Sequence, residues 1–260
     1  MAQDQNQTRR RSLEIKIITS MKQIPLFEIP VWVTPCENND KVKSYIDNTV
    51  VPAYLKNTGR DPNPYETFYD GAVTGGSMKH LSIVEGIEQT GKQSDDNGLT
   101  SVYSDYFEGA LKTDQELLLN LYAPDIRKLM VQVGFDPKVN WGMKGYFWYA
   151  ITEKNGSQDT HDHITGPKSL TFCGIHYVEF DEQEHSSAFF TNPQEQIMRS
   201  TYPTEDTHDV PAYFKDIIKA PKVKQGEIVW FPPWLKHTVA RQQSAKRRIA
   251  IAMNISIFKN

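Results

Sequence analysis

The sequence predicts a mainly β, α+β fold: a β-sandwich or barrel buttressed by helices that precede it in the chain. Three observations predict this. Past Gly134 the chain breaks into short β-type runs at 145–153, 160–164, 169–180, 186–191, 227–231 and 247–258, separated by turn clusters. Before Gly134, two stretches carry apolar residues at helical spacing. The last run, Arg248–Ile257, alternates strictly: Ile249, Ile251, Met253, Ile255 and Ile257 share one face, which must be buried.

Taken in order, residues 1–22 read as a flexible extension, because AQDQNQTRRR lacks an apolar stretch and Met21 opens a more natural-looking start. Residues 23–260 read as one domain, with helical support over 39–134 and a β core over 141–258. Pro25, Pro30 and Pro35 make 23–35 an edge strand or extended lead-in. Val42, Tyr45, Ile46, Val50 and Tyr54 predict a helix over 39–57, with Pro52 bending it or starting a second one. Residues 58–100 are rich in Gly, Asp, Asn, Ser and Thr, and read as long loops with one short strand. The clearest helix is 114–134, with acids in its first turn, Gly134 as its stop and a kink or a junction of two helices expected at Pro124. Three prolines and many polar residues make 192–222 an insertion loop between strands.

Composition narrows the function classes. Hydrophobic residues are 38% and charged residues 23%, with a formal net charge of -3 and a pI near 6.2. General nucleic-acid binding and membrane-surface binding are not expected without a basic bias, and Arg9–Arg11 read as part of a solvated tail. No stretch approaches a membrane span. Two cysteines far apart, Cys36 and Cys173, read as free thiols in a reducing compartment, hence a cytoplasmic protein.

Histidines carry the chemistry. His161 and His163 stand two apart, so a strand would place both on one face and Asp162 on the other. His237 follows an apolar strand and a Pro-Pro turn. Neutral imidazoles suit Fe(II), zinc or copper, and three protein ligands on one side leave positions open for reactants. Arg248 heads the second face of the last strand, followed by Ala250, Ala252, Asn254 and Ser256. Two small side chains there leave room for a polar ligand, and the arginine offers a fork for its carboxylate. Tyr146-Phe147-Trp148-Tyr149 reads as core packing with one face on the pocket. His80, His185 and His208 read as solvated, and His176 as packed in mid-strand or within reach of the metal.

These residues resemble the 2-oxoglutarate/Fe(II)-dependent oxygenases common in phage and marine bacterial genomes. The likeness covers Gln23–Val33, which includes IPLFEIPVW, and more strongly Trp141–Ile257. It rests on His161-Asp162-His163, then Cys173-Gly174-Ile175-His176-Tyr177-Val178, Phe190 and Asn192-Pro193. It closes with Gly226, Phe231-Pro232-Pro233-Trp234-Leu235, His237, Val239 and Arg248 to Asn254. Pro233 and Ala250 stand where the family pattern has serines. The resemblance implies a double-stranded β-helix (jelly-roll, cupin-like) core, with Fe(II) as metal and 2-oxoglutarate as co-substrate. It implies His161 and His237 as ligands and Arg248 as the 2-oxoglutarate anchor, with Asn254 and Tyr149 as further contacts to the co-substrate. Most such oxygenases use His-x-Asp; here His163 stands in the Asp position, which favours a three-histidine set over Asp162 or Asp159. The implied reaction hydroxylates a substrate, small or macromolecular, and releases succinate and CO2. The location is then the cytoplasm, of the host if phage-encoded, and a homodimer is allowed. Two rivals stand beside this reading: a three-histidine cupin dioxygenase that does not use 2-oxoglutarate, and a non-catalytic jelly-roll module.

Overall fold

The computed structural model describes residues 29–58, 81–84, 87–90, 102–105, 110–154, 156–164, 170–194, 217–219 and 222–260. The 1–22 extension, His80, His208 and most of the two expected loop regions lie outside them.

The chain runs β1 (Trp32–Pro35), α1 (Asn39–Tyr45), a π-helical turn (Ile46–Val50), α2 (Val51–Thr58), β2 (Leu81–Val84), β3 (Ile87–Thr90) and β4 (Val102–Ser104). It continues with α3 (Gln115–Gln132), β5 (Trp141–Thr152), β6 (Gln158–His161), β7 (Phe172–Glu179) and β8 (Ala188–Thr191). Last come β9 (Ile217–Lys219), β10 (Glu227–Phe231), β11 (His237–Val239) and β12 (Arg248–Lys259). Pro52 sits in the first turn of α2, where a missing N–H costs least, and the π turn stands directly before it. The single strand expected in 58–100 is instead the hairpin β2–β3.

Helix α3 passes through Pro124 as one element and not as two helices meeting there. Its ends are well specified. The Asp114 carboxylate accepts from Leu117 N at 2.9 Å, and Gly134 leaves the helix at φ 95° while Phe135 N donates to Met130 O. Leu118, Tyr122, Ile126, Leu129 and Met130 bury one face, and that burial outweighs the one hydrogen bond Pro124 cannot make.

Two antiparallel sheets make the core. The larger has the order β1-β10-β7-β12-β5-β4, the smaller β6-β11-β8-β9. They enclose the apolar cluster of Ile175, Tyr177, Ala188, Phe190, Val229, Phe231 and Ala250. On the other side of the larger sheet, Phe147, Tyr149, Ile151, Ile249, Ile251, Met253 and Ile255 pack with Tyr54, Leu118, Tyr122 and Ile126 of the helices. The result is the double-stranded β-helix with helices on one sheet, as expected. Alternation along β5, β7 and β12 sends one set of side chains to the helices and the other into the sandwich.

The helix side holds polar staples that the sequence does not announce. His176, fully buried, takes a hydrogen bond from the Tyr122 hydroxyl at Nδ1 (2.7 Å) and gives one from Nε2 to Asn39 Oδ1 (3.2 Å). It therefore faces α1 and α3, away from the sandwich interior, and burial holds its pKa down to about 3. Tyr122→Phe is expected to cost about 1–3 kcal/mol in urea unfolding, because it strands a buried imidazole nitrogen. His185 is likewise no solvated residue: its Nδ1 accepts from Asp181 N (2.9 Å) and its other ring nitrogen meets Lys246 O (3.0 Å).

Glu153, just past β5, is buried and accepts a hydrogen bond from the Tyr54 hydroxyl of α2. Burial pushes its carboxyl from the ordinary 4.5 up to about 7, against the opposing pull of Arg247. The native state thus holds a proton between those values that the unfolded chain has released. Stability is full below about pH 4.5 and falls, by about 3 kcal/mol at most, as pH rises to about 7. Chemical unfolding of Glu153→Gln at pH 5 and pH 8 should show this slope removed.

Candidate metal centre

Strand pairing builds the centre. In the smaller sheet His237 of β11 lies opposite His161 of β6 on one side and Phe190 of β8 on the other. His163, two residues past His161, is held by its backbone N–H, which donates to Pro233 O at 2.8 Å. The three imidazoles thereby converge: ring centroids are 4.3 Å apart for His161–His237, 5.1 Å for His163–His237 and 5.2 Å for His161–His163. One nitrogen from each ring can be chosen so that all three lie within 4.8 Å of one another. Among the described residues no other group of three or more His, Cys, Asp or Glu meets that test.

The proton positions suit ligation. His237 Nδ1 faces the carbonyl of Leu235 at 3.1 Å, and a carbonyl only accepts, so Nδ1 carries the hydrogen and Nε2 the lone pair. His163 Nδ1 meets Asn254 Oδ1 at 2.6 Å, while its buried Nε2 has no hydrogen-bond partner. A buried imidazole nitrogen without a partner is costly unless something else takes its lone pair, and a metal ion does. Burial is the main force holding both rings neutral: it lowers the pKa of His163 to about 4 and that of His237 to about 3, and neighbouring histidines add to the effect. Neutral rings are the ligating form. The residues present therefore fit a divalent metal such as iron(II).

Asp162 does not join the group; its Oδ1 accepts from Ile164 N in a local turn. The side chain of Asp159 lies outside the described residues.

The larger sheet supplies a second feature. Arg248 is 2% exposed, and its Nε and Nη2 have no hydrogen-bond partner. Its guanidinium lies over the rings of Tyr177 (5.2 Å) and Phe180 (6.0 Å). The preceding Arg247 differs: it forks onto Glu179 through Nε (3.2 Å) and Nη2 (2.8 Å). No acid among the described residues pairs with Arg248. Burial lowers its pKa, with Tyr177 opposing the shift, yet a guanidinium keeps its proton in a protein. A buried cation with two idle donors calls for an anion from outside the chain.

Register shows what lies along that face. Ala250 pairs with Ala150 and Tyr177, Ala252 with Trp148 and Ile175, and Asn254 with Tyr146 and Cys173. The two alanines put only small side chains on this face of β12 between Arg248 and the Asn254–His163 contact. Tyr149, expected to touch the co-substrate, is on the opposite face: it is buried in the helix-side core, and its hydroxyl donates to Leu111 O at 2.8 Å. One step of strand parity puts Trp148 there instead, stacked on His163 with centroids 5.8 Å apart. Asn254 lies on the same face as Arg248, with its carbonyl oxygen engaged by His163. Trp148 and Tyr177 were not singled out by their chemistry. Counting by twos from Arg248 across to β5 and β7 would have found both.

Comparison with known proteins adds the family. Residues 146–254 match the family model described as "Putative 2OG-Fe(II) oxygenase". Curated protein sequences give no match. Among solved structures, a 2OG-Fe(II) oxygenase family oxidoreductase from Burkholderia pseudomallei superposes with a TM-score of 0.36 at 13% identity, covering 54% of this chain and 57% of its own. A Trichoplax adhaerens prolyl hydroxylase, solved with a hypoxia inducible factor oxygen degradation domain peptide fragment, gives 0.43 at 11% identity, with 86% and 82% covered. HygX from Streptomyces hygroscopicus, solved with nickel and 2-oxoglutarate, gives 0.42 at 9% identity, with 88% and 83% covered. The matched segment contains all three histidines, Arg248 and Asn254, and it is that segment which is similar to the 2OG-Fe(II) oxygenases.

Proposed function

We propose that the protein is an Fe(II)- and 2-oxoglutarate-dependent dioxygenase. It would hydroxylate a C–H bond of its substrate while 2-oxoglutarate and O2 are converted to succinate and CO2. One observation carries this reading: a buried arginine with idle donors shares a sandwich interior with three convergent imidazoles.

His161, His163 and His237 are the residues that would hold the iron, which supplies O2 activation and oxidising power that no side chain has. The chain's own work is binding and orientation. Arg248 takes the far carboxylate of 2-oxoglutarate through its free Nε and Nη2, in a site walled by the Tyr177 and Phe180 rings. Ala250 and Ala252, with small side chains on the same face, would leave room for the carbon chain. Ile175, Val229, Phe231 and Phe190 make its surroundings apolar, which excludes water and strengthens the ionic contact at Arg248. Trp148 covers His163 from the β5 side.

The same three imidazoles would suit a dioxygenase that binds its substrate directly to the metal, and Arg248 separates the two readings. Protein reconstituted anaerobically with Fe(II) is expected to bind one metal and one 2-oxoglutarate per chain, and to form succinate when O2 is admitted. Stoichiometric metal with no uptake of 2-oxoglutarate would support the direct-binding enzyme instead. No metal uptake at all would leave a non-catalytic jelly-roll.

A further inference from the structure

Asn254 follows two alanines along the strand face that Arg248 heads, and its carbonyl oxygen has two neighbours. His163 Nδ1 lies 2.6 Å away, and the Cys173 thiol donates to the same oxygen at 3.2 Å. Register explains the arrangement: Asn254 of β12 pairs with Cys173 of β7, and His163 reaches across from the smaller sheet. Cys173 is fully buried, and burial pushes its pKa up, so it is a neutral thiol with a hydrogen to give.

Orientation of the amide decides which nitrogen of His163 can serve a metal. With Oδ1 toward the ring, Nδ1 must carry the hydrogen and Nε2 the lone pair. With the amide turned over, its NH2 would donate to Nδ1, the hydrogen would sit on Nε2, and the ring would offer the centre nothing. The neutral thiol favours the first arrangement, because Oδ1 can accept from Sγ–H and Nδ1–H together. The buried Nε2 of His163 has no hydrogen-bond partner, as that arrangement requires.

We propose that Asn254 is a positioning residue for the metal centre: through its carbonyl oxygen, with Cys173 holding that oxygen in place, it fixes His163 in the tautomer that presents Nε2. This rests on the reading of His161, His163 and His237 as metal ligands. It also gives the centre a distinctive charge. Metal-bound histidines often lean on a carboxylate, which raises their basicity. Here the support is a neutral amide, so neither the His163 ligand nor its support subtracts charge from the cation.

The test begins with metal-free wild-type protein. Nitrogen-15 NMR of its histidines should show His163 protonated at Nδ1 alone; protonation at Nε2 overturns the proposal without any variant. Cobalt(II) affinity is then measured for wild type, Asn254→Leu, Asn254→Asp and Cys173→Ala by competition with a chromophoric chelator. Asn254→Leu should mix the tautomers and weaken cobalt(II) by about 10- to 100-fold. Asn254→Asp keeps the acceptor and should bind cobalt(II) at least as tightly as wild type, and Cys173→Ala should lose only a few-fold. If Asn254→Leu keeps the Nδ1–H tautomer and wild-type affinity, Asn254 only fills space and the proposal falls. Should that variant fail to fold, the wild-type tautomer and the Asn254→Asp affinity still decide. A wild type that takes up no cobalt(II) would sink the ligand assignment itself, which the tautomer measurement tells apart from a failure at Asn254.

Discussion

Replacing Arg248 with methionine is expected to leave metal binding intact and to weaken 2-oxoglutarate binding by about 100-fold or more, while the metal-free protein melts higher than wild type. The two effects have one cause. In the free protein the guanidinium is buried with Nε and Nη2 unpaired, so the fold carries a desolvated charge that the Tyr177 and Phe180 contacts offset only in part. A methionine of similar length packs against Tyr177 and Phe180 without that cost, and such exchanges are often neutral or stabilising by about 1–4 kcal/mol. With the co-substrate bound the balance reverses, because losing one partner of a buried charge pair costs about 2–5 kcal/mol. Calorimetric titration of cobalt(II)-loaded protein with 2-oxoglutarate and a melting curve of the metal-free protein check both halves. A variant that melts lower would mean that Arg248 has a structural partner. One that still binds 2-oxoglutarate would move the carboxylate site elsewhere.

His237→Ala carries the second large effect. His237 is 2% exposed, lies opposite His161 across the β6–β11 pair and touches the Phe231 ring at 4.6 Å. Its removal leaves two imidazoles of the cluster, and stoichiometric metal should be lost together with succinate formation. The cleanest readout is linkage. Wild type with cobalt(II) at a hundred times its dissociation constant should gain about 2.7 kcal/mol of stability, and the variant should gain none. Unchanged stabilisation in the variant would exclude His237 from the centre. The metal-free variant should itself unfold somewhat more easily than wild type, because a buried ring packed on Phe190 and Phe231 is lost, so each protein's gain is read against its own metal-free state.

Local periodicity explains which parts of this molecule could be read from sequence. The alternation of Ile249 to Ile257 against Arg248 to Ser256 is a property of one strand, and the two faces separate in the structure as they do on paper. The spacing of His161 and His163 is equally local. Features set by pairing were harder. Tyr149 has the hydroxyl that chemistry would choose, but its parity opposite Ile251 sends it to the helix side, and Trp148 opposite Ala252 takes the place. β11 is three residues long, too short for any periodic signal, and His237 gains its position from neighbours on both sides. The roles of His176 and His185 depend on Tyr122, Asn39 and Lys246, residues distant in sequence whose contact no composition rule foretells. A junction of two helices at Pro124 is absent for the same reason: helix propensity is local, and the burial that holds α3 together as one element is not.

The place of β12 in the larger sheet has a consequence for how the molecule is made. β12 follows every other strand in sequence order, yet it lies between β7 and β5. Until it arrives, β1-β10-β7 and β5-β4 are separate pieces, each with an open edge where β12 will sit. A growing chain therefore carries two unsatisfied edges from the completion of β7 until β12 is made, and those edges are templates for pairing with other chains. Closure depends on contacts between residues far apart in sequence, which makes it a slow step. The same strand brings Arg248 and Asn254, so the sheet and the ligand site are completed in one event. A partly made chain has nowhere to hold 2-oxoglutarate, and competence for the co-substrate should appear only when the last strand slots home.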